Sequence, residues 1–220
     1  MRVLVACEFS GTVRDAFIAR GHDAMSCDLM PTEVPGPHYE GSVLDVLDDG
    51  WDLMIAHPPC TYLSKAGARW LYPKAGVMDE GRYRKGMEAR DFFMKLLHAP
   101  IPKVAIENPT PLRAFRLPPP TQAIEPYHHG HSFSKKTLLW LRGLPHLNRT
   151  KTVENYEPFL PSNTGYGASQ GQKTSRGVVR GGMDASRTFK GIAKAMAAQW
   201  GDGDMTGCEP GAQFSMEGLW

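Results

Sequence analysis

The chain is poor in cysteine. Its 220 residues carry four, Cys7, Cys27, Cys60 and Cys208, and no two of them form a CxxC pair, which excludes a disulfide framework and a zinc module. It also lacks an excess of charge of either sign. Lys plus Arg number 25 and Asp plus Glu 23, a net charge of +2, so no global field marks a nucleic-acid binder, although a local basic patch stays open. No apolar run approaches the roughly 18 residues of a membrane span. The amino terminus enters a strand-like run at once, Met1-Arg2-Val3-Leu4-Val5-Ala6-Cys7, with none of the pattern of a signal peptide. No internal repeat is visible. These absences point to a soluble protein of a reducing cytoplasm with no membrane association, of one domain or one domain with a small appendage.

What is present is a series of short apolar runs that stop at glycine or proline. Residues 2–7 read as a buried strand and Glu8-Phe9-Ser10-Gly11-Thr12 as a small-residue turn. Val13 to Arg20 reads as a helix, with Val13, Ala16 and Phe17 on one face and Gly21 closing it. A strand, a glycine turn and a helix in succession make an anion- or nucleotide-binding corner, where free backbone N–H groups meet the ligand. The same turn serves packing equally well. Ala24 to Cys27 is a second strand, ending at Asp28, about twenty residues beyond the turn, where an acid commonly holds a ribose diol. A Pro-rich loop follows, then Ser42 to Leu47 with Asp45.

The chain is organised around Asp52 to Cys60, Asp-Leu-Met-Ile-Ala-His-Pro-Pro-Cys. Leu53 to Ala56 is short and apolar enough for a buried strand, and the two prolines cannot continue a sheet ladder. Cys60 then stands on the rim where open α/β sheets place their ligands, on backbone stiffened by proline. It is a candidate nucleophile. The competing reading is a core thiol, since free Cys is among the most buried residue types.

Thr61 to Gly81 has no clean period and mixes Lys65, Gly67, Arg69, Trp70, Lys74 and Gly76, a composition suited to a lid over a phosphate-bearing partner. Arg82 to His98 reads as a helix whose Met87, Phe92, Met94, Leu96 and Leu97 supply core. Pro102 to Ile106 is the next strand, followed by Glu107-Asn108-Pro109. If this strand neighbours the central one, the Glu107 carboxylate lies beside Cys60. Pro118-Pro119-Pro120 marks an exposed linker. His128, His129 and His131 invite a metal, but the spacing matches no usual site and no acid or cysteine lies near, so no metal is assigned. Leu138 to Leu141 is a strand, 148–186 shows no strong element, Phe189 to Trp200 is a helix, and 202–220 reads as a loose tail.

Taken in order, Phe9-Ser10-Gly11, Asp28, Asp45, Pro58-Pro59-Cys60 and Glu107-Asn108 resemble the DNA cytosine-5 methyltransferases, over residues 1 to about 142 and again at 188–200. The resemblance implies an α/β, Rossmann-like methyltransferase fold with a mostly parallel sheet flanked by helices. It divides the chain into a catalytic core over 1–147, a reduced target-recognition region over 148–186, a closing helix over 187–201 and a flexible tail over 202–220. It implies S-adenosylmethionine as cofactor. Phe9, Ser10, Gly11 and Thr12 would hold its methionine part, Asp28 the ribose, Asp45 the adenine amino group, and Pro58 would border it. Cys60, Glu107, Asn108 and Lys135 would carry the chemistry, while Pro59, Arg69, Lys135 and Thr137 would touch the substrate.

The implied reaction needs these residue types. Cytosine C5 is a poor nucleophile until the Cys60 thiolate adds to C6 and makes C5 enamine-like. Glu107 would hold N3 and the exocyclic amine, protonated or sharing a proton as the adduct forms. Asn108 would fix the loop backbone. A thiol of pKa about 8.5 is mostly protonated at neutral pH, so the site must supply positive charge or a proton acceptor. Lys135 and Thr137 stand where the family carries arginines. Thr61 replaces its Gln, Pro109 its Val and Val13 its second glycine. The long region that reads DNA sequence is nearly absent, as in small methyltransferase-like proteins of phages and mobile elements. The expected partner is duplex DNA with a flipped cytosine, in a bacterial or phage-infected cytoplasm. The alternatives are the same chemistry on RNA or a pyrimidine nucleotide, or a catalytically silent DNA-binding homologue. All of this requires the Cys60 sulfur and the Glu107 carboxyl to face one cavity.

Overall fold

The computed structural model describes residues 1–161, 173–174, 177–180, 187–204 and 206. In chain order its elements are β1 (Arg2–Ala6), α1 (Thr12–Ile18), β2 (Asp23–Asp28), β3 (His38–Glu40), β4 (Leu53–Ala56), α2 (Ala68–Leu71), α3 (Glu80–Leu97), β5 (Lys103–Asn108), β6 (Gln122–Ile124), β7 (Phe133–Ser134), β8 (Thr137–Arg142), β9 (Glu157–Pro161), β10 (Lys173–Thr174), β11 (Gly177–Arg180) and α4 (Lys190–Met196), which runs on as a π-helix over Ala197–Asp202. A seven-stranded sheet has the order β3-β2-β1-β4-β5-β8-β6. Only β8 opposes the other strands, pairing antiparallel with both β5 and β6. This is the doubly wound order with one reversed strand inserted between the fifth and sixth, a Rossmann-like α/β fold.

Both faces of the sheet are covered, so the central strands are apolar on both sides. Leu4, Ala6, Met54, Ala56, Val104 and Ile106 face α3, where Phe93 and Leu96 complete the layer. Val3, Val5, Leu53, Ile55 and Ala105 face α1 and α4 through Val13, Phe17, Ile192, Met196 and Trp200. The period of two in a strand sends alternate residues of one short run to two different cores.

Several expected boundaries move, each for a local reason. Helix α3 starts two residues early because Asp79 caps it, its Oδ1 accepting from the Arg82 N–H at 2.7 Å. Strand β5 does not stop before Glu107. It continues through Glu107 and Asn108, which pair with Leu139 and Leu138 of β8. The three prolines are not an exposed linker: Pro120 is buried, and the Pro118 carbonyl accepts from the Trp140 indole at 2.8 Å. The 61–81 segment is pinned by Leu63 and Leu71, both fully buried, and contains α2. Region 148–186 carries β9, β10 and β11, which form a small sheet with β7 in the order β10-β11-β9-β7. The expectations for 162–172, 175–176 and 181–186, and for the tail at 205 and 207–220, lie outside the described residues. Among the described residues no helix is long and apolar enough to cross a membrane.

Helix α4 is docked by the buried side chains of Ile192 and Met196 and, at its first turn, by close approach of its backbone. The Gly191 N–H donates to His131 Nε2 at 2.8 Å, and a Cβ at Gly191 would sit 1.9 Å from the His129 carbonyl oxygen. Gly191→Ala is therefore expected to destabilise the fold by about 3 kcal/mol, the upper range for overpacking. Urea denaturation checks this as a lowered midpoint at unchanged slope.

Candidate active site

The switch in strand order falls between β1 and β4, and their carboxyl ends open a crevice there. The ladder runs one residue past β4, with the His57 N–H donating to the Ala6 carbonyl at 2.9 Å. The prolines then end it. Asn108 Nδ2 donates to the Pro58 carbonyl at 3.0 Å and ties the turn to β5. The Cys60 carbonyl accepts from the N–H groups of Leu63 and Ser64 at 3.1 and 2.9 Å, a tight turn that fixes the cysteine. Cys60 and Glu107 line one cavity of about 260 Å³, together with Thr61, Asn108, Lys135 and Thr137. His57, Pro58, Pro59 and Pro109 complete its wall. This volume is just under the roughly 300 Å³ at which drug-sized sites begin, so it suits a single small ring. The adjacency required of β4 and β5 is met, because these strands are direct parallel neighbours.

The electrostatics of this cavity centre on a pair the sequence analysis did not assign. His57 Nδ1 lies 2.9 Å from Glu107 Oε2, with the side chains 9% and 19% exposed. Burial alone pushes the Glu107 carboxyl up, but the hydrogen bond and charge of His57, then Lys135 and the Thr137 hydroxyl, outweigh it and hold the group below the usual carboxylate range. Burial works against the His57 cation, yet the hydrogen bond and charge of Glu107, with the charge of Glu8, raise its pKa. Both shifts favour the ion pair, a Glu107 carboxylate beside a His57 imidazolium. A Glu107 that itself carries the proton is not the resting arrangement. Cys60 is pushed up, by burial first and the Glu107 charge second, against the pull of Lys135. Its resting form is the thiol.

The stability consequence has a defined sign. A lowered carboxyl contributes stability above its ordinary pKa of 4.5, and this is lost as pH falls through the depressed folded value. A raised imidazole contributes below its ordinary 6.5, and this is lost as pH rises through the raised folded value. The pair therefore stabilises most between the two ordinary values, 4.5 and 6.5, and its contribution falls away on either side toward the shifted folded values. Glu107→Gln is expected to flatten this optimum, measured as melting temperature against pH.

A second cavity of about 190 Å³ opens at the ends of β1 and β2, lined by Cys7, Cys27, Asp28, Val43, Phe92 and Pro59, with Leu29, Gly41 and Ser42 beside them. Pro59 belongs to both cavities, so the Pro-Pro-Cys turn is the partition between them. Cys7 and Cys27 are thiols held protonated, pushed up to about 12 and about 11 by burial and then by Asp28.

Other expected cofactor residues are placed differently. The anion-binding corner is already filled: Glu8 accepts from the Val13 N–H at 2.7 Å, the Arg14 N–H at 3.2 Å and the Ser10 hydroxyl at 3.2 Å. That carboxylate takes the helix N–H groups a phosphate would use. The turn is consequently drawn against α1 instead of lining the cavity with Asp28. Ser10 and Thr12 border a groove of about 530 Å³ between α1 and α4 whose lining includes neither Cys60 nor any other thiol. Phe9 and Ser10 also border a cavity of about 20 Å³ with Glu8 and His57. Gly11 adopts a φ of +70° and leaves room for the Arg14 guanidinium. Asp45 is exposed, held by the Tyr39 hydroxyl at 3.3 Å and absent from the cavity lining. The 3₁₀ turn Val43–Asp45 presents Val43 inward instead.

On the substrate side, Lys135 and Thr137 reach the cavity because β8 pairs beside β5. Arg69 does not. It is exposed on α2 with its guanidinium 4.7 Å from the Trp70 ring centre. The basic group that does reach the rim is Arg82, which donates to the Thr61 carbonyl at 2.8 Å and lies over the Tyr62 ring. Phe92 packs partly buried against the core, as expected, and also walls the Asp28 cavity. His57 had a signal, its position at the very end of β4, but its partner is fifty residues away. Among the described residues no group of three or more His, Cys, Asp or Glu is arranged to hold a metal.

No protein-family model matches the chain, and no curated protein does. Among solved structures the chain resembles the methyltransferase EhMeth of Entamoeba histolytica, at 12% identity and a TM-score of 0.41, over 69% of this chain and 56% of that one. The matched region is thus little over half the length of that structure.

Proposed function

We propose that this protein transfers a methyl group from S-adenosylmethionine to C5 of cytosine in DNA through a covalent adduct on Cys60. The observation that carries the reading is that Cys60 and Glu107 line one cavity of single-ring size. The neighbouring cavity suits the cofactor. Asp28 offers a carboxylate to a ribose diol, and Val43, Phe92 and Pro59 offer apolar contact to an adenine. A Glu8 carboxylate seated on the helix N–H groups disfavours a phosphate-bearing cofactor and is compatible with a sulfonium. When bound, S-adenosylmethionine supplies an electrophilic methyl group.

The residues of the chain do the rest. Cys60 loses its proton, favoured by Lys135 in the same cavity, and its sulfur adds to C6. Glu107 faces N3 and the exocyclic amine. Asn108 holds the Pro58 carbonyl and so keeps the cysteine turn at a fixed distance from β5. A nucleic-acid partner is favoured by the rim: Thr61 lines the cavity, Arg82 is bonded to it, and Arg82 and Lys85 lie 4.9 and 5.7 Å from the Tyr62 ring centre. Clustered cations and aromatic rings bind phosphates and unstacked bases.

Methyl-labelled S-adenosylmethionine offered with unmethylated duplex DNA, RNA and free cytidine nucleotides tests the reading. Label at C5 of cytosine in DNA is expected. A preference for RNA or a nucleotide would replace the substrate, and no label on any pyrimidine despite cofactor binding would mark a silent homologue.

A further inference from the structure

Resting on that reading, we infer that His57 is the proton store of the site, passing its Nδ1 proton through Glu107 to the pyrimidine N3 as the cysteine adduct forms. The chemistry asks for a protonated group at N3, and the resting Glu107 is a carboxylate. A group that accepts from N–H and returns no proton cannot stabilise the adduct. The proton must come from a neighbour, and His57 Nδ1 at 2.9 Å from Glu107 Oε2 is that neighbour.

The surroundings are built for a charge that moves between two atoms. The His57 side chain is 91% buried, the complement of its 9% exposure, and is therefore shielded from solvent exchange on most sides. Its Nε2 is buried and meets no hydrogen-bond partner among the described residues, so no protein acceptor fixes the proton on the far side of the ring. His57 is also the residue common to the 260 Å³ cavity and the 20 Å³ cavity beside Glu8, Ser10 and Arg187. A space of that size accommodates one water, which gives the ring a route for reprotonation. The charged and titratable groups around it are Glu107 on β5, Cys7 and Glu8 after β1, Lys135 before β8, Cys60 beyond β4 and Arg187 before α4. Glu8 and Glu107 favour the imidazolium, and Lys135 opposes it.

The step balances. The S–C6 bond forms as the C5=C6 π pair shifts through C4 to N3. N3 takes the proton from Glu107, and His57 Nδ1 gives its proton to Glu107 and becomes neutral. After the methyl has joined C5, the C5 proton leaves to water, the C5=C6 bond re-forms and the S–C6 bond breaks. N3 returns its proton through Glu107 to His57. The thiol proton given to water at the start is taken back from water when the thiolate leaves, so the one proton released overall is the C5 proton, as methylation itself requires.

His57 acts through Glu107 and is a positioning residue with a titrating role. His57→Asn keeps an N–H near the Nδ1 position and removes the titration. Its rate on DNA should fall about 100-fold near pH 7.5, within the usual range for lost acid–base catalysis, and the deficit should narrow severalfold toward about pH 5, where Glu107 takes its own proton from water. Binding of S-adenosylhomocysteine should be unchanged. A merely structural role gives a deficit independent of pH, and that result, or no deficit, overturns the inference. Ring-proton NMR gives a readout free of turnover. His57 should titrate above its ordinary 6.5 in the parent and below the parent's value in Glu107→Gln. A neutral His57 at pH 7 in the parent overturns the proton store. Absence of methylation by the parent would overturn the methyl-transfer reading and the inference with it, whereas methylation with an unaltered His57→Asn profile overturns the inference alone.

Discussion

Cys60→Ala will abolish methylation, lowering the rate by about 10⁴-fold or more, because removing the nucleophile of a covalent mechanism leaves only binding and orientation. Among the described residues no second thiol lines this cavity. Cys7 and Cys27 border the other cavity, on the far side of the Pro58-Pro59 turn, and both are held as thiols. The hydroxyls of Thr61 and Thr137 share the cavity with Cys60 but are far weaker nucleophiles. The substitution removes one partly exposed sulfur, so the fold should lose no more than about 1 kcal/mol. Turnover and thermal melting measured on the same preparation separate the two effects. A variant that melts like the parent and still methylates would show that the cysteine is only a wall residue.

Arg14→Met will cost about 3–5 kcal/mol of stability, the range for breaking a buried ionic network. The Arg14 side chain is fully buried. Its guanidinium reaches Asp15 at 2.7 Å, the hydroxyls of Ser26 and Thr32 at 3.2 Å, and the carbonyls of Val34 and Pro35 at 3.3 Å. One side chain on α1 thus anchors the Pro-rich segment that follows Asp28. A lysine cannot replace it, since a single ammonium does not match a fork of five donors. Gly11 and Gly36 are part of the same device: a Cβ on either would come within 2.5 or 2.6 Å of the guanidinium. The melting temperature should drop by about 10 °C, at roughly 2–4 °C per kcal/mol for a chain of this size. Because the anchored segment adjoins Asp28, affinity for S-adenosylhomocysteine should fall as well. Calorimetric melting and ligand titration check both. A drop of less than about 1 kcal/mol would mean the network contributes little.

The parts of this fold that were legible share a property: their physical cause is local. Leu53 to Ala56 and Val104 to Ile106 announce themselves as strands because every residue is apolar and a proline stops each run nearby. Cys60 and Glu107 follow as rim residues of adjacent strands. β3 and β6 were not legible because three residues carry no period, and each is a strand only through its pairing, β3 with β2 and β6 with β8. The extension of β5 through Asn108 has the same origin, since β8 supplies the pairing. Glu8 was read as part of a turn, and only the folded chain shows its carboxylate on the N–H groups of Val13 and Arg14. Asp45 and Arg69 matched a pattern in sequence, yet a short 3₁₀ turn and an exposed helix direct them away from the two cavities. His57 became visible only through its contact with Glu107, a long-range pairing that spacing along the chain does not encode.

The central claim is that the cysteine sulfur and the Glu107 carboxyl enclose a pyrimidine. Duplex DNA carrying 5-fluorocytosine tests it directly, because fluorine at C5 cannot leave as a proton and an adduct formed by sulfur addition and methyl transfer persists. Mass spectrometry of the protease-digested complex should find the nucleotide on the peptide containing Cys60, only when S-adenosylmethionine is present and not in Cys60→Ala. Active protein that methylates DNA but leaves this peptide unmodified, or carries the nucleotide on another residue, would contradict the account.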